Sequence, residues 1–182
     1  MKNNFRFRSI STLSHLCVLC GVVLLANCAS NAPAVPIETA WNNVDASEKS
    51  LRKATKQLQD SLRSAAKDLN ITNCGDLSTG ALRQSLLTSL QSMKSLNPSL
   101  ASGALLAKTR VLASAQDLRR DAGSMQIGLN QLIAAMSRGE TTPPNREDLS
   151  KLMARIKVEA EGATGLINYA QQIADQLARL GG

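Results

Sequence analysis

Few residue groups in this chain have the types and spacing that chemistry needs, and most of those fail on closer reading. Gly123-Ser-Met-Gln-Ile-Gly128 sets two glycines as a phosphate-binding loop does, but Leu129-Asn130 stand where that loop requires Lys and Ser or Thr, and no strand precedes it. Glu147-Asp148 and Glu159 with Glu161 are paired carboxylates, the equipment of general acid-base catalysis. On a helix, however, neighbours one or two apart point in different directions, so these read as surface acids. Cys17 and Cys20 form a CxxC pair inside an apolar run with no βαβ context, and count as small hydrophobes. The one histidine, His15, sits just before that run, so the rest of the chain lacks the commonest general base and metal ligand. No metal, cofactor or nucleotide site is read from these residues, and the chain is not expected to be an enzyme. Cys74, in an Asn-Cys-Gly turn, has no imidazole to activate its thiol. In an oxidising compartment an odd cysteine suits an intermolecular disulfide and a homo-oligomer; its other reading is a merely tolerated thiol.

The N-terminus has the form of an export signal. Lys2, Arg6 and Arg8 precede an apolar run from Leu16 to Ala26 without a single acid. That run is shorter than the roughly 20 residues a membrane-spanning helix needs and within the ~7–15 of a signal segment. Leu25-Ala26-Asn27-Cys28 follows, then Ala29-Ser30 and the Pro-containing stretch to Pro36. In Leu25, Ala26 and Cys28 the segment resembles the lipobox of bacterial lipoproteins, with Asn27 where Gly, Ala or Ser is usual. The resemblance covers only the first thirty or so residues and concerns targeting, not the family of the body. It implies cleavage before Cys28 and acylation of its thiol. With Ala29 and Ser30 in place of a retention Asp, it also implies an outer-membrane anchor. The alternative is ordinary signal cleavage near Ala32 or Ala34, which leaves a soluble periplasmic protein. On the lipoprotein reading residues 1–27 are the signal peptide, 28–36 a short tether and 37–182 the folded domain.

The elements that must carry any function are helices. Only 2% of the 182 residues are aromatic while 43% are hydrophobic, so the core is built mainly from Leu, Ala, Ile, Val and Met. In the first segment, from Ile37 to Asn70, residues Ile37, Trp41, Val44, Leu51, Leu58, Leu62, Ala65 and Leu69 recur on three- and four-residue steps. Glu48 and Thr55 occupy the two steps where an apolar residue is missing. Asn70 to Asp76 breaks the pattern, and a second helix runs from Ser78 to Leu96. The third spans Ser99 to Arg138 with the series Val111, Ala115, Leu118, Ala122, Met125, Leu129, Leu132 and Met136. Gly139 to Pro144 is a connector, Asn145 is read as the next helix cap, and the fourth helix is expected to bury Leu149, Leu152, Ile156, Ala160, Ala163, Ile167, Ala170, Ala174 and Leu177. Gly103, Gly123, Gly128, Gly162 and Gly165 are expected at close crossings or bends. Trp41 and Tyr169 are expected to pack in the body. The fold class is all-α, an antiparallel up-down bundle of about four helices, as connectors of this length favour.

Charge narrows the partners. The formal +7 falls to +4 once the three cations of residues 1–27 are set aside. The remaining basicity gathers on the first helix, where Lys49, Arg52, Lys53, Lys56, Arg63 and Lys67 recur at helical spacing. This face could meet anionic head groups or an acidic partner, or simply be solvated. Nucleic acid is disfavoured because no aromatics are interleaved with the basic residues. The expected function is that of a lipid-anchored envelope protein whose bundle acts as a non-enzymatic scaffold or accessory module for an envelope protein partner. The alternative is a soluble bundle that binds an apolar ligand between its helices.

Overall fold

Apolar residues on alternating three- and four-residue steps bury one stripe of each helix and leave the opposite stripe in water, and the computed structural model is built of such helices. It describes residues 34–71, 80–93, 95–96 and 98–182. Among them are four helices and no strand: α1 (Ile37–Asp68), α2 (Gly80–Ser92), α3 (Pro98–Ser137) and α4 (Leu149–Gly181). Residues 35–182 form one compact unit, an all-α bundle.

Most residues of the seams read from the sequence are buried, while Ile37, Ala122, Met136, Leu149 and Ala160 are half-buried. Trp41, Val44, Leu51, Leu58 and Leu62 of α1, Val111, Leu118, Met125 and Leu132 of α3, and Leu152, Ile156, Ala170 and Leu177 of α4 share a single core, joined by Leu86, Leu87 and Leu90 of α2. On α4 the buried face is wider than the narrow seam expected, because Leu166, Tyr169, Ile173 and Leu180 are buried as well.

Helix ends follow residue chemistry. After α1, Asn70 takes the left-handed conformation (φ 56°) that Asn tolerates better than most residues. The Asn70 and Ile71 amides then bond back to Lys67 and Ala66 at 3.0 and 2.9 Å, which satisfies those two carbonyls of the last turn. Gly139 (φ 85°) closes α3 in the same way, with Gly139 N–H donating to Met136 and Glu140 N–H to Ala135. At α4 the cap is Asp148, not Asn145: its carboxylate accepts the Ser150 N–H at 2.7 Å, and the helix starts at Leu149.

Bonds between helices give their directions. Asn43 of α1 donates to Gln131 of α3 at 2.9 Å, Ser61 bonds Ser114 at 2.7 Å, and Asp68 accepts from Arg110 at 3.2 Å, so α1 and α3 run in opposite senses. The end of α4, at Gly181, lies against Ala101 and Leu105 near the start of α3, so that pair is also opposed. α2 departs from strict up-down order. The Tyr169 hydroxyl donates to the Arg83 carbonyl at 2.7 Å, and Arg179 donates to the Leu90 and Met93 carbonyls at 2.8 and 3.1 Å, so α2 runs in the same sense as α4. The physical reason is length: eleven residues separate Asp68 from Gly80, more than the short connection that favours antiparallel neighbours.

Of the five helical glycines expected at close crossings or bends, one is found at a close crossing. A Cβ on Gly128 would meet Val44 Cγ2 at 3.3 Å, so α1 and α3 approach closely at this level. At Gly103, Gly123, Gly162 and Gly165 a Cβ would meet nothing within 4 Å. Those four mark no close crossing.

Candidate functional site

α3 packs closely against both α1 and α4, whereas α1 and α4, which run in the same sense, approach each other less. Into that wider space the sequence places charge. Glu48, at the first gap in the α1 seam, is only 8% exposed. A carboxylate there needs partners, since an unpaired buried charge is costly. It has two: Arg52 at 2.5 Å, one turn along α1, and Arg155, reaching across from α4. Arg52 also bonds Glu159 at 2.9 Å, and Arg155 bonds Glu147. The result is an alternating chain, Glu147, Arg155, Glu48, Arg52, Glu159, that joins the two helices. Glu147 and Glu48 hold the Arg155 guanidinium above its usual range, against the opposing effect of burial.

Beside this network lies an open cleft of about 320 Å³, floored by Leu51, Ala163 and Leu166 and rimmed by Arg52, Arg83 and Glu159. Its rim is charged where an apolar-ligand site would be expected to be greasy and enclosed. Among the described residues no cluster of three or more His, Cys, Asp or Glu could hold a metal ion.

A second cluster gathers where α1 begins. Pro36 precedes α1 and supplies no side-chain cap, so the Ile37 N–H would lack an acceptor. Glu140, in the connector after α3, provides one at 2.7 Å. Arg138 grips the other oxygen of Glu140 at 2.7 Å and donates to the Val35 carbonyl at 2.6 Å. The Ile37 amide and then Arg138 hold the Glu140 carboxyl below its ordinary range. Further along the connector, Arg146 lies 5.5 Å over the Trp41 ring and bonds Asp45 at 2.5 Å and Asn42 at 2.9 Å. The connector is therefore stitched to the first turns of α1 at several points.

The basic residues read from the sequence divide into two groups. Arg52 turns toward α4 and belongs to the network with Glu48 and Glu159. Lys49, Lys53, Lys56, Arg63 and Lys67 lie on the outer face of α1, all exposed, with Arg63 bonded to Asp60 at 2.7 Å. Of the paired acids, Asp148 is a helix cap, Glu147 and Glu159 are network members, and Glu161 lies 4.0 Å from Lys157 on the surface. Trp41 and Tyr169 are both buried, as expected. The Gly123 to Gly128 stretch is helical throughout. Cys28 and Cys74 lie outside the described residues. Sequence reading missed Glu48, Arg155 and Glu140 as structural partners. The signal available for Glu48 was its place on an otherwise apolar seam.

No helix among the described residues is long and apolar enough to cross a membrane. No protein-family model, curated protein or solved structure matches this chain.

Proposed function

We propose that the protein is a bacterial envelope lipoprotein, anchored to the outer membrane through Cys28, whose helical bundle works by protein contact as a scaffold or accessory module. The observation that carries this reading is Leu25-Ala26-Asn27-Cys28 at the end of a short apolar run led by Lys2, Arg6 and Arg8. It is supported by the position of the folded unit, which begins at Val35, seven residues after Cys28. A tether of that length, fully extended, reaches about 25 Å, so an acylated Cys28 would keep the body close to the bilayer. The several acyl chains of a lipidated cysteine contribute about 0.8 kcal/mol per buried CH₂, enough to anchor the body without an inserted helix. The contact role is supported by a core filled with the chain's own side chains and by outer faces on which Leu106, Ile127 and Val158 stand exposed among polar residues.

Mass measurement of the mature protein tests the anchor. A diacyl or triacyl adduct on Cys28 is expected, together with release of the body into the soluble periplasmic fraction by Cys28→Ala. An unmodified N-terminus following residue 32 or 34 would reject the anchor. Crosslinking in native envelopes, followed by identification of the crosslinked protein, tests the contact role; recovery of the chain as a monomer under all crosslinking conditions would reject it.

A further inference from the structure

We propose that the outer face of α1 is a docking surface for an anionic lipid bilayer, which lays the bundle lengthwise along the membrane that holds its anchor. The inference rests on the lipoprotein reading for the location of the protein, and on the α1 face for the contact itself.

Lys49, Lys53, Lys56, Asp60, Arg63 and Lys67 follow one another at intervals of four, three, four, three and four residues. At 100° per residue they stay within a narrow arc, forming a line about 27 Å long. All six are exposed, and the line runs opposite the face that buries Leu51, Ala54, Leu58, Leu62 and Ala65. Asp60 is the only acid in the line and is bonded by Arg63. Of the other acids on and around α1, Asp45 is engaged by Arg146, Glu48 by Arg52 and Arg155, Asp68 by Arg110 and Glu140 by Arg138, while Glu38 stands exposed in the first turn, eleven residues before the line begins. The lysines are thus left with their charge toward solvent. Nothing in the fold requires this line, since none of its lysines contributes to the core.

Charge complementarity selects the occupant. Flexible lysines spaced along 27 Å of helix suit a laterally extended surface of separate phosphates better than one compact acidic ligand. The line also begins on the helix that the tether enters, about 18 Å from its first residue, within reach of the same leaflet.

The test uses residues 35–182, which form a compact unit with their own core and lack both the apolar leader and Cys28, so that its outcome is independent of lipidation. Sedimentation with phosphatidylcholine vesicles is compared with sedimentation on vesicles in which about a third of the lipid is phosphatidylglycerol. Binding is expected only to the anionic vesicles and is expected to fall as salt is added. Lys49→Gln, Lys53→Gln, Lys56→Gln and Lys67→Gln together are expected to weaken it by at least about tenfold, since each near-surface basic residue contributes up to several-fold. Lys108→Gln, Arg119→Gln, Lys151→Gln and Lys157→Gln, which remove the same charge elsewhere, are expected to retain most of it. Circular dichroism checks that both variants keep their helices. Equal binding by the two variants would overturn the proposal. So would binding to an acidic polypeptide or to nucleic acid with none to anionic vesicles.

Discussion

The carboxylate of Glu140 accepts the backbone N–H of Ile37 at 2.7 Å, across 103 residues of sequence. The same residue completes α3 with its own amide, which donates to the Ala135 carbonyl. One residue thus ends one helix and starts another, and places a negative charge at the positive end of the α1 dipole. Its carboxyl is held below the ordinary range by these donors. A carboxyl with a depressed folded pKa adds stability above its unfolded pKa, and that stability is lost as pH falls through the folded value.

Glu140→Gln is therefore expected to speed hydrogen exchange at the start of α1 at neutral pH and to flatten the acid side of the stability profile below about pH 4.5. Residue-resolved exchange and denaturation as a function of pH measure both. An unchanged acid limb would show that the contact does not form in solution.

Replacing Glu48 separates charge from shape. Glu48→Ala empties a buried seam position and leaves Arg52 and Arg155 with only Glu159 and Glu147. Because Arg52 is well exposed, the cost is expected to be about 1–2 kcal/mol, below that of breaking a fully buried pair. Glu48→Leu continues the apolar seam and is expected to lie within about 1 kcal/mol of the parent. Urea denaturation of both variants gives the comparison, and a Leu variant weaker than the Ala variant would refute it.

The glycines give a prediction of opposite signs. Gly123→Ala, Gly162→Ala and Gly165→Ala add a methyl group to open space and are expected to stabilise by about 0.5–1 kcal/mol each. Gly128→Leu would force α1 from α3 at Val44 and is expected to cost about 1–3 kcal/mol. Thermal or urea unfolding distinguishes the two groups.

Polar ties from α4 reach the backbone of α2. Arg179 serves the Leu90 and Met93 carbonyls, and Tyr169 serves that of Arg83. Tyr169→Phe is expected to cost about 0.5–1.5 kcal/mol. With Arg179→Ala added, amide exchange in α2 is expected to rise while exchange in α1 and α3 is little changed. Uniform acceleration across all four helices would mean that α2 unfolds only with the whole body.

Much of the helix pattern was legible because it is local. The α3 series from Val111 to Leu132 and the turn at Asn70 depend on residues a few positions apart, and both stand in the structure. What escaped is what joins distant elements. Nothing near Glu48 in sequence announces Arg155, which lies 107 residues away and becomes its partner only because α1 and α4 run in the same sense. The connector at Glu140 reads as a polar spacer until α1 is brought beside it. The sense of α2 depended on the length of the α1–α2 connection, which propensity alone left ambiguous. Glycine spacing misled for a related reason: it shows where a crossing is permitted, and only Gly128 has a neighbour that uses the permission.

The bonds from Arg138 to Val35 and from Glu140 to Ile37 also determine where a mechanical load would go. A chain pulled by its N-terminus ordinarily unravels its first helix turn by turn, because each hydrogen bond is stressed alone. Here a pull on Val35 is shared with the end of α3 through two charged side chains before any turn of α1 can peel. Tension applied on the N-terminal side of Val35 would therefore load the end of α3 together with the first turn of α1.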